Sequence, residues 1–290
     1  MFMKNKSILL IIAASFLLGC SGERPYTSYQ YDGLKGNVKS IFSYVYEAES
    51  RFGKIEKGNL IDNFDMPYWI GIEPACYAEY NNDGNLVKKT TYLKDGELAG
   101  ITEYEYVDGK TSLIRESGSD GEIYYCSKYT YEKGKLVGIA SSSSYDKRNG
   151  REHHYSFENG KVTADSIFTN GELASIVNYL SNNEDSIVTV EKDVNGKEIS
   201  RFYQSMGKYR RPLMIESTYA NGSDFNGYKM QFTYNEDGWE TLVKRDEPNE
   251  DCKVIKFEYI EFDNKGNWTS RAIYANGELV ALEENTIEYF

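Results

Sequence analysis

Tyr129-Thr130-Tyr131-Glu132-Lys133-Gly134-Lys135-Leu136 is the stretch on which the reading of the whole chain turns. Two aromatics at i and i+2 put both rings on one face of an extended strand, while Thr130 and Glu132 take the other. A glycine then supplies the positive φ of a tight turn, and the chain runs back. The same order recurs as Tyr104-x-Tyr106 before Gly109, Tyr155-x-Phe157 before Gly160 and Phe232-x-Tyr234 before Gly238. Tyr80 before Gly84 and Phe262 before Gly266 are looser copies. The second aromatics at 80, 106, 131 and 157 stand 26, 25 and 26 residues apart, and the 77 residues from 157 to 234 are close to three more periods. A register held over that length is a tandem repeat.

A second set of turns lies midway: Gly96-Glu97-Leu98, Gly121-Glu122-Ile123, Gly171-Glu172-Leu173 and Gly277-Glu278-Leu279, with Asn149-Gly150, Asn195-Gly196 and Asn221-Gly222 in the same place elsewhere. Each repeat of about 25 residues is therefore strand, turn, strand, turn, and about eight copies fit between Cys76 and the C-terminus. Short links force neighbours in sequence to pair, so the predicted fold is all-β: a long twisted antiparallel meander, with a spiral, an open barrel and a flat layer all compatible with the pattern. Very little helix is expected outside the N-terminal segment. Residues 32–75 form a separate N-terminal part. Within it, Glu47 to Pro74 breaks the repeat and reads as a long loop or an element capping the first edge strand.

The N-terminus differs in kind. Lys4 and Lys6 precede an apolar run from Ile8 to Leu18 that ends in Leu17-Leu18-Gly19-Cys20. The run is too short to span a bilayer and reads as a signal peptide over residues 1–19. Its ending resembles the lipobox of bacterial lipoproteins, which implies an acylated Cys20, a tether over residues 20–31 and a place at the outer membrane. Taking Lys4 and Lys6 from 33 basic residues leaves 31 against 45 acidic ones, a formal charge of −14. That balance argues against nucleic acid and against docking on anionic lipid by charge.

Tyr129 to Leu136, Phe232-Thr-Tyr234-Asn-Glu-Asp-Gly238-Trp239 and Glu261-Phe262-Asp263-Asn-Lys-Gly266-Asn267-Trp268 resemble the YD repeats of Rhs and teneurin-type proteins, and are similar to MORN-like hairpins. With the lipobox, the chain resembles a lipoprotein of the Bacteroidota with YD-like repeats over residues 76–290. Rhs repeats enclose a toxin. The self-cleavage motif and toxin domain that such a role requires are missing, and about eight copies are too few for a closed shell of that kind.

Signatures of catalysis are thin. His153 and His154 are the only histidines, and adjacent strand positions point to opposite faces, so they should not share one ion or act as a pair. P-loop, G-x-S-x-G and H-E-x-x-H motifs are missing. We expect neither cofactor nor metal. Cys76 and Cys126 each lie eight residues before a turn glycine, which places them at equivalent positions four strands apart, beyond disulfide reach and buried beside aromatics. Cys252 completes the set after Cys20. Trp239 and Trp268, with Tyr234 and Phe262, could offer a stacking platform for sugar rings or peptide, or fill a hairpin end by cross-strand packing. Asp165-Ser166-Ile167 and Asp185-Ser186-Ile187 resemble O-glycosylation acceptors of Bacteroidota.

The expected function is a non-enzymatic, lipid-anchored envelope module that binds protein or glycan. A periplasmic immunity protein and a carbohydrate-active enzyme are the alternatives. The aromatic C-terminus, Thr286 to Phe290, superficially resembles the end of an outer-membrane barrel, but charges on alternate strand positions argue against a lipid-embedded wall.

Overall fold

The computed structural model describes residues 27, 28, 32–61, 75–144, 150–220, 227–248 and 250–290. Nineteen strands follow one another: β1 (Val38–Arg51), β2 (Lys54–Leu60), β3 (Ala75–Tyr80), β4 (Leu86–Tyr92), β5 (Leu98–Val107), β6 (Lys110–Gly118), β7 (Ile123–Glu132), β8 (Lys135–Ser143), β9 (Arg151–Glu158) and β10 (Lys161–Thr169). Then come β11 (Glu172–Asn182), β12 (Ser186–Asp193), β13 (Glu198–Met206), β14 (Pro212–Tyr219), β15 (Gly227–Tyr234), β16 (Glu240–Asp246), β17 (Lys253–Phe262), β18 (Trp268–Ala275) and β19 (Glu278–Tyr289). Helical geometry among the described residues is confined to Ser28, Asp32 and a single 3-10 turn at Lys208–Arg210.

From β3 to β19 every strand pairs antiparallel with the next, as a meander should. The sheet does not stay open. One edge of β1 pairs with β3 from Ser40↔Glu79 to Tyr44↔Ala75, and the other runs along β19 from Val38↔Tyr289 to Glu47↔Ala281. β1 and the seventeen strands β3 to β19 thus form one closed ring of eighteen, which corrects the expectation of an open twisted sheet. The physical reason lies in residues without the repeat signature. β1 is long enough for both partners, and closure removes the two sheet edges. Lys54–Leu60, expected as loop or cap, is a strand paired with the far half of β1. Pro67 and the rest of the stretch expected as loop, residues 62–74, lie outside the described residues.

The turns are of two chemistries. Asp108-Gly109, Lys133-Gly134, Asn159-Gly160, Asn170-Gly171 and Asn276-Gly277 have both residues at positive φ, the two-residue hairpin turn whose twist matches the strands. Gly84, Gly96, Gly121, Gly196, Gly238 and Gly266 sit instead in longer turns, several opened by an Asn or Asp side chain that accepts backbone N–H groups, such as Asn81 from Asp83 and Asn85. The difference corrects the reading of the cysteines. Equal spacing to a glycine is not equal spacing along a strand, and Cys76, opposite Ser43, faces the lumen while Cys126, opposite Arg115, faces out. Both are half-buried, Cys252 is exposed, and none of the three is in a disulfide.

The repeated aromatic has a measurable role. Tyr106 donates its hydroxyl to Leu86 O at 2.7 Å, Tyr131 to Thr111 O at 2.9 Å, Tyr234 to Pro212 O at 2.9 Å and Tyr259 to Glu240 O at 2.8 Å. Three of these acceptors are the residues paired in register with the second aromatic of the preceding hairpin: Leu86 with Tyr80, Thr111 with Tyr106 and Glu240 with Tyr234. Each such tyrosine therefore fastens its hairpin to the one before. Below the hydroxyls the lumen face is apolar, in clusters such as Val45, Val243, Ile255, Phe257, Ile273 and Ala281, or Tyr129, Leu136, Ile139, Tyr155 and Val162. The outward face carries Glu103, Arg115, Lys128, Glu152, Lys229, Lys244, Lys256 and Glu258.

Phe157 occupies the tyrosine position without a hydroxyl; by the register of the other tyrosines its acceptor would be the carbonyl of Leu136, which pairs with Tyr131. Tyr131→Phe should lower stability by about 1 kcal/mol and Phe157→Tyr raise it by a similar amount, the net worth of one such bond. Urea unfolding of both variants beside the parent would check the pair.

Candidate functional site

The functional candidate is a cavity of about 320 Å³ at the end of the lumen where the N-terminal segment enters. Its walls come from strands far apart in sequence: Ile41 and Ser43 of β1, Ala78 and Tyr80 of β3, Tyr234 and Glu240 on either side of one turn, Tyr259, Trp268 and Arg271 of the following hairpin, and Asn285 of β19. Only ring closure brings these groups to one place.

Residues 32–35 form the cover. Asp32 accepts the Tyr80 hydroxyl at 3.3 Å, the Trp239 indole N–H donates to Gly33 O at 3.3 Å, and Leu34 lines the cavity. Lys35 bonds Asn267 from both its backbone groups, at 2.7 and 2.8 Å, and its ammonium meets Asp237 at 2.7 Å. Asn267 also donates to the Tyr289 hydroxyl, which in turn donates to Asp263. Glycine is required twice here. Gly33 has φ +70° with Trp239 Nε1 3.0 Å from where a Cβ would sit, and Gly238 has φ +86° with Arg211 Nη1 at 2.6 Å. The Arg211 guanidinium can therefore lie across the turn, 5.6 Å from the centre of the Tyr234 ring.

Charge is concentrated in this small space. Arg271 meets one oxygen of Glu283, Oε2, from two nitrogens, at 2.7 Å from Nε and 2.6 Å from Nη2, and lies 4.5 Å from the ring centres of both Trp268 and Phe257. Burial works against the guanidinium charge, but Glu283 and Tyr259 outweigh it and hold Arg271 protonated. Burial raises the Glu240 carboxyl above its ordinary range, against the pull of Arg271 and Arg211. Enclosure by protein likewise raises Asp32 from 3.8 to about 6, against Tyr80, Arg211 and Lys89. The Asp32 side chain is open to the cavity, so water moderates the energetic consequence. Polar groups that can grip neighbouring hydroxyls therefore stand beside aromatic faces, the combination a compact polar ring-shaped ligand needs.

The structure brings three of the four aromatics singled out from the sequence, Tyr234, Trp239 and Trp268, to the cavity wall, and stacks the fourth, Phe262, on Trp239. Trp239, only 4% exposed, forms a wall and stacks on the half-exposed Phe262 at 5.7 Å. Trp268 meets Tyr259 edge-on at 5.7 Å, and Tyr234 lines the same space. They do not form an open surface platform. Asp32, Arg211, Glu240, Arg271 and Glu283 went unrecognised in the sequence because no motif links them.

The histidines do face opposite ways. His154 lies 3.1 Å from Glu152 on the outside, while His153 is buried with Nδ1 2.7 Å from Asp165. Ser166 sits outward beside Asp165, and Ser186 opens β12 with its N–H bonded to Asn183. Cys20 lies outside the described residues. Among the described residues no group of three or more His, Cys, Asp or Glu could hold a metal, and no helix is long and apolar enough to cross a membrane.

No protein-family model matches the sequence, and no curated protein matches it. Among solved structures, a porin-like protein from Bacteroides uniformis ATCC 8492 is similar at a TM-score of 0.43 and 14% identity, over 88% of this chain and 98% of the other. A porin-like protein from Bacteroides vulgatus ATCC 8482 matches at 0.38 and 12%, over 87% and 98%. The Photorhabdus luminescens Tc holotoxin pore matches at 0.24 and 10%, over 86% of this chain and 14% of its own. Scores this low carry no property across.

Two outcomes are expected. Glu283→Gln leaves Arg271 charged and enclosed without its partner, and should cost about 3–5 kcal/mol in urea unfolding. A raised Asp32 means the folded state holds its proton more tightly, so its contribution to stability is greatest below 3.8 and is lost as pH rises through about 6. Asp32→Asn should therefore flatten the stability profile between about pH 4 and about pH 7 by about 1 kcal/mol or less; an unchanged profile would count against the assignment.

Proposed function

We propose that this protein is a lipid-anchored envelope protein, held by acylated Cys20 at the outer membrane, whose barrel binds a small saccharide in the covered cavity without turning it over. The observation that carries the reading is the cavity wall itself, where arginines, carboxylates and an amide alternate with tryptophan and tyrosine rings. Vicinal hydroxyls suit the first group, and the C–H face of a sugar ring suits the second. The lipobox-like ending at Cys20 and the YD-like repeats support an envelope protein built as a scaffold.

A barrel buried in lipid needs an outward apolar band about 25 Å tall, and each charge at mid-bilayer there costs about 2–4 kcal/mol. Here the outward face carries charge on strand after strand, as at Lys128, Glu152, Lys244 and Glu258. The reading is therefore a barrel standing on a lipid tether rather than one forming a pore.

Trp239 and Trp268 line the cavity and report on it. Titration with a panel of neutral, amino and acidic mono- and disaccharides should give a saturable change in tryptophan emission with at least one member, weakened in Trp268→Ala. A flat response to the whole panel would end the cavity reading. Alkyne-palmitate labelling that persists in Cys20→Ser would separately end the anchor.

A further inference from the structure

We propose that the outer face of β1, β3 and β4 is a second binding surface, independent of the cavity, and that it takes an extended neutral polysaccharide chain. Side chains alternate along β1, so while Ile41 and Ser43 line the cavity, Phe42, Tyr44 and Tyr46 point outward. Tyr77 of β3 and Tyr92 of β4 share that face through the register Phe42↔Tyr77 and Tyr44↔Ala75↔Tyr92.

The rings form one continuous floor. Centroids lie 4.4 Å apart for Phe42 and Tyr44 and 6.1 Å for Tyr44 and Tyr46. Phe42 is 5.7 Å from Tyr77 and 5.8 Å from Tyr92. Phe42 and Tyr92 stand on strands separated by β3, and they meet because Ala75 between them has only a methyl group. Ala75 is buried at 4% exposure beneath them. Neighbouring ring planes are inclined to one another by 36–54°, so the surface they make is corrugated rather than flat. Successive apolar rings at such spacing can each take the C–H face of one pyranose unit of a twisted chain, and the tyrosine hydroxyls supply a polar rim.

Electrostatics selects the neutral polymer. The lysines around the floor are already matched to acids: Lys57 to Glu284 at 2.5 Å, Lys39 to Glu288 at 3.6 Å and Lys88 to Glu79 at 3.9 Å. Lys57 also sits 3.7 Å over the Tyr46 ring. A polyanion or an anionic lipid surface would meet a balanced rim on an acidic protein, and a second copy would bring the same negative charge.

The test is affinity electrophoresis of the full chain in detergent, through gels containing β-glucan, xyloglucan, mannan or dextran, with polygalacturonate as the charged control. At least one neutral polymer should retard the parent, and Tyr44→Ala and Tyr92→Ala should each weaken that interaction about two- to tenfold, the worth of one stacked ring. Arg211→Ala in the cavity wall should leave it unchanged, which separates this surface from the cavity. As a measurement free of variants, the same polymer should protect tyrosines from nitration by tetranitromethane. The proposal is overturned if no neutral polymer retards the parent, if polygalacturonate retards it more strongly, or if the tyrosine variants instead abolish self-association or binding to phosphatidylcholine vesicles.

Discussion

Everything in this molecule depends on β1 pairing with β19. Without that contact the repeats would form a strip with one free edge at each end and a lumen face open to water. With it, the ends of the chain take the place of one more hairpin, one whose strands are joined by hydrogen bonds instead of a covalent turn. Phe290 donates to Asn37 O at 3.0 Å where a turn would otherwise stand. The cavity, its cover and the buried Arg271 pair all sit beside this seam, so the site exists only in the closed ring.

The repeat explains itself once the tyrosine bonds are visible. A sequence period of 25 or 26 residues is the distance between successive hydroxyls, each reaching back to the hairpin before. The signature is therefore a lateral fastening. Where no repeat hairpin precedes, the same need is met differently: Tyr80 reaches the Asp32 carboxylate, while Tyr289 reaches back to the hairpin before it but to a side chain of its turn, Asp263. Asp32 thus does the work of a backbone carbonyl at the point where the array begins, and this is why a carboxylate is held at the cavity mouth.

Strand class, antiparallel order and most turns were legible from alternation and glycine spacing, because those are local consequences of side-chain direction and positive φ. Closure was not. It depends on β1, which has no repeat signature, finding a partner at the far end of the chain. The four aromatics were legible as a group because they flank two equivalent turns, Tyr234 and Phe262 before and Trp239 and Trp268 after, yet their role was not, since Trp239 is covered by a segment more than 200 residues away in sequence. Arg211, Glu240 and Arg271 carry no local mark at all. The cysteines show a subtler limit: counting residues to a glycine fails when the turns differ in length.

The two-residue turns have a temporal consequence. Hairpins of this kind form on a scale of about microseconds, each from residues adjacent in the chain. The seam joins groups such as Ser40 and Glu288, 248 residues apart, so it must wait for the last strand to emerge. Until then β1 is a long unpaired edge, able to accept the β19 of another molecule as readily as its own. Intermolecular exchange of the closing strand is thus the characteristic hazard of this architecture.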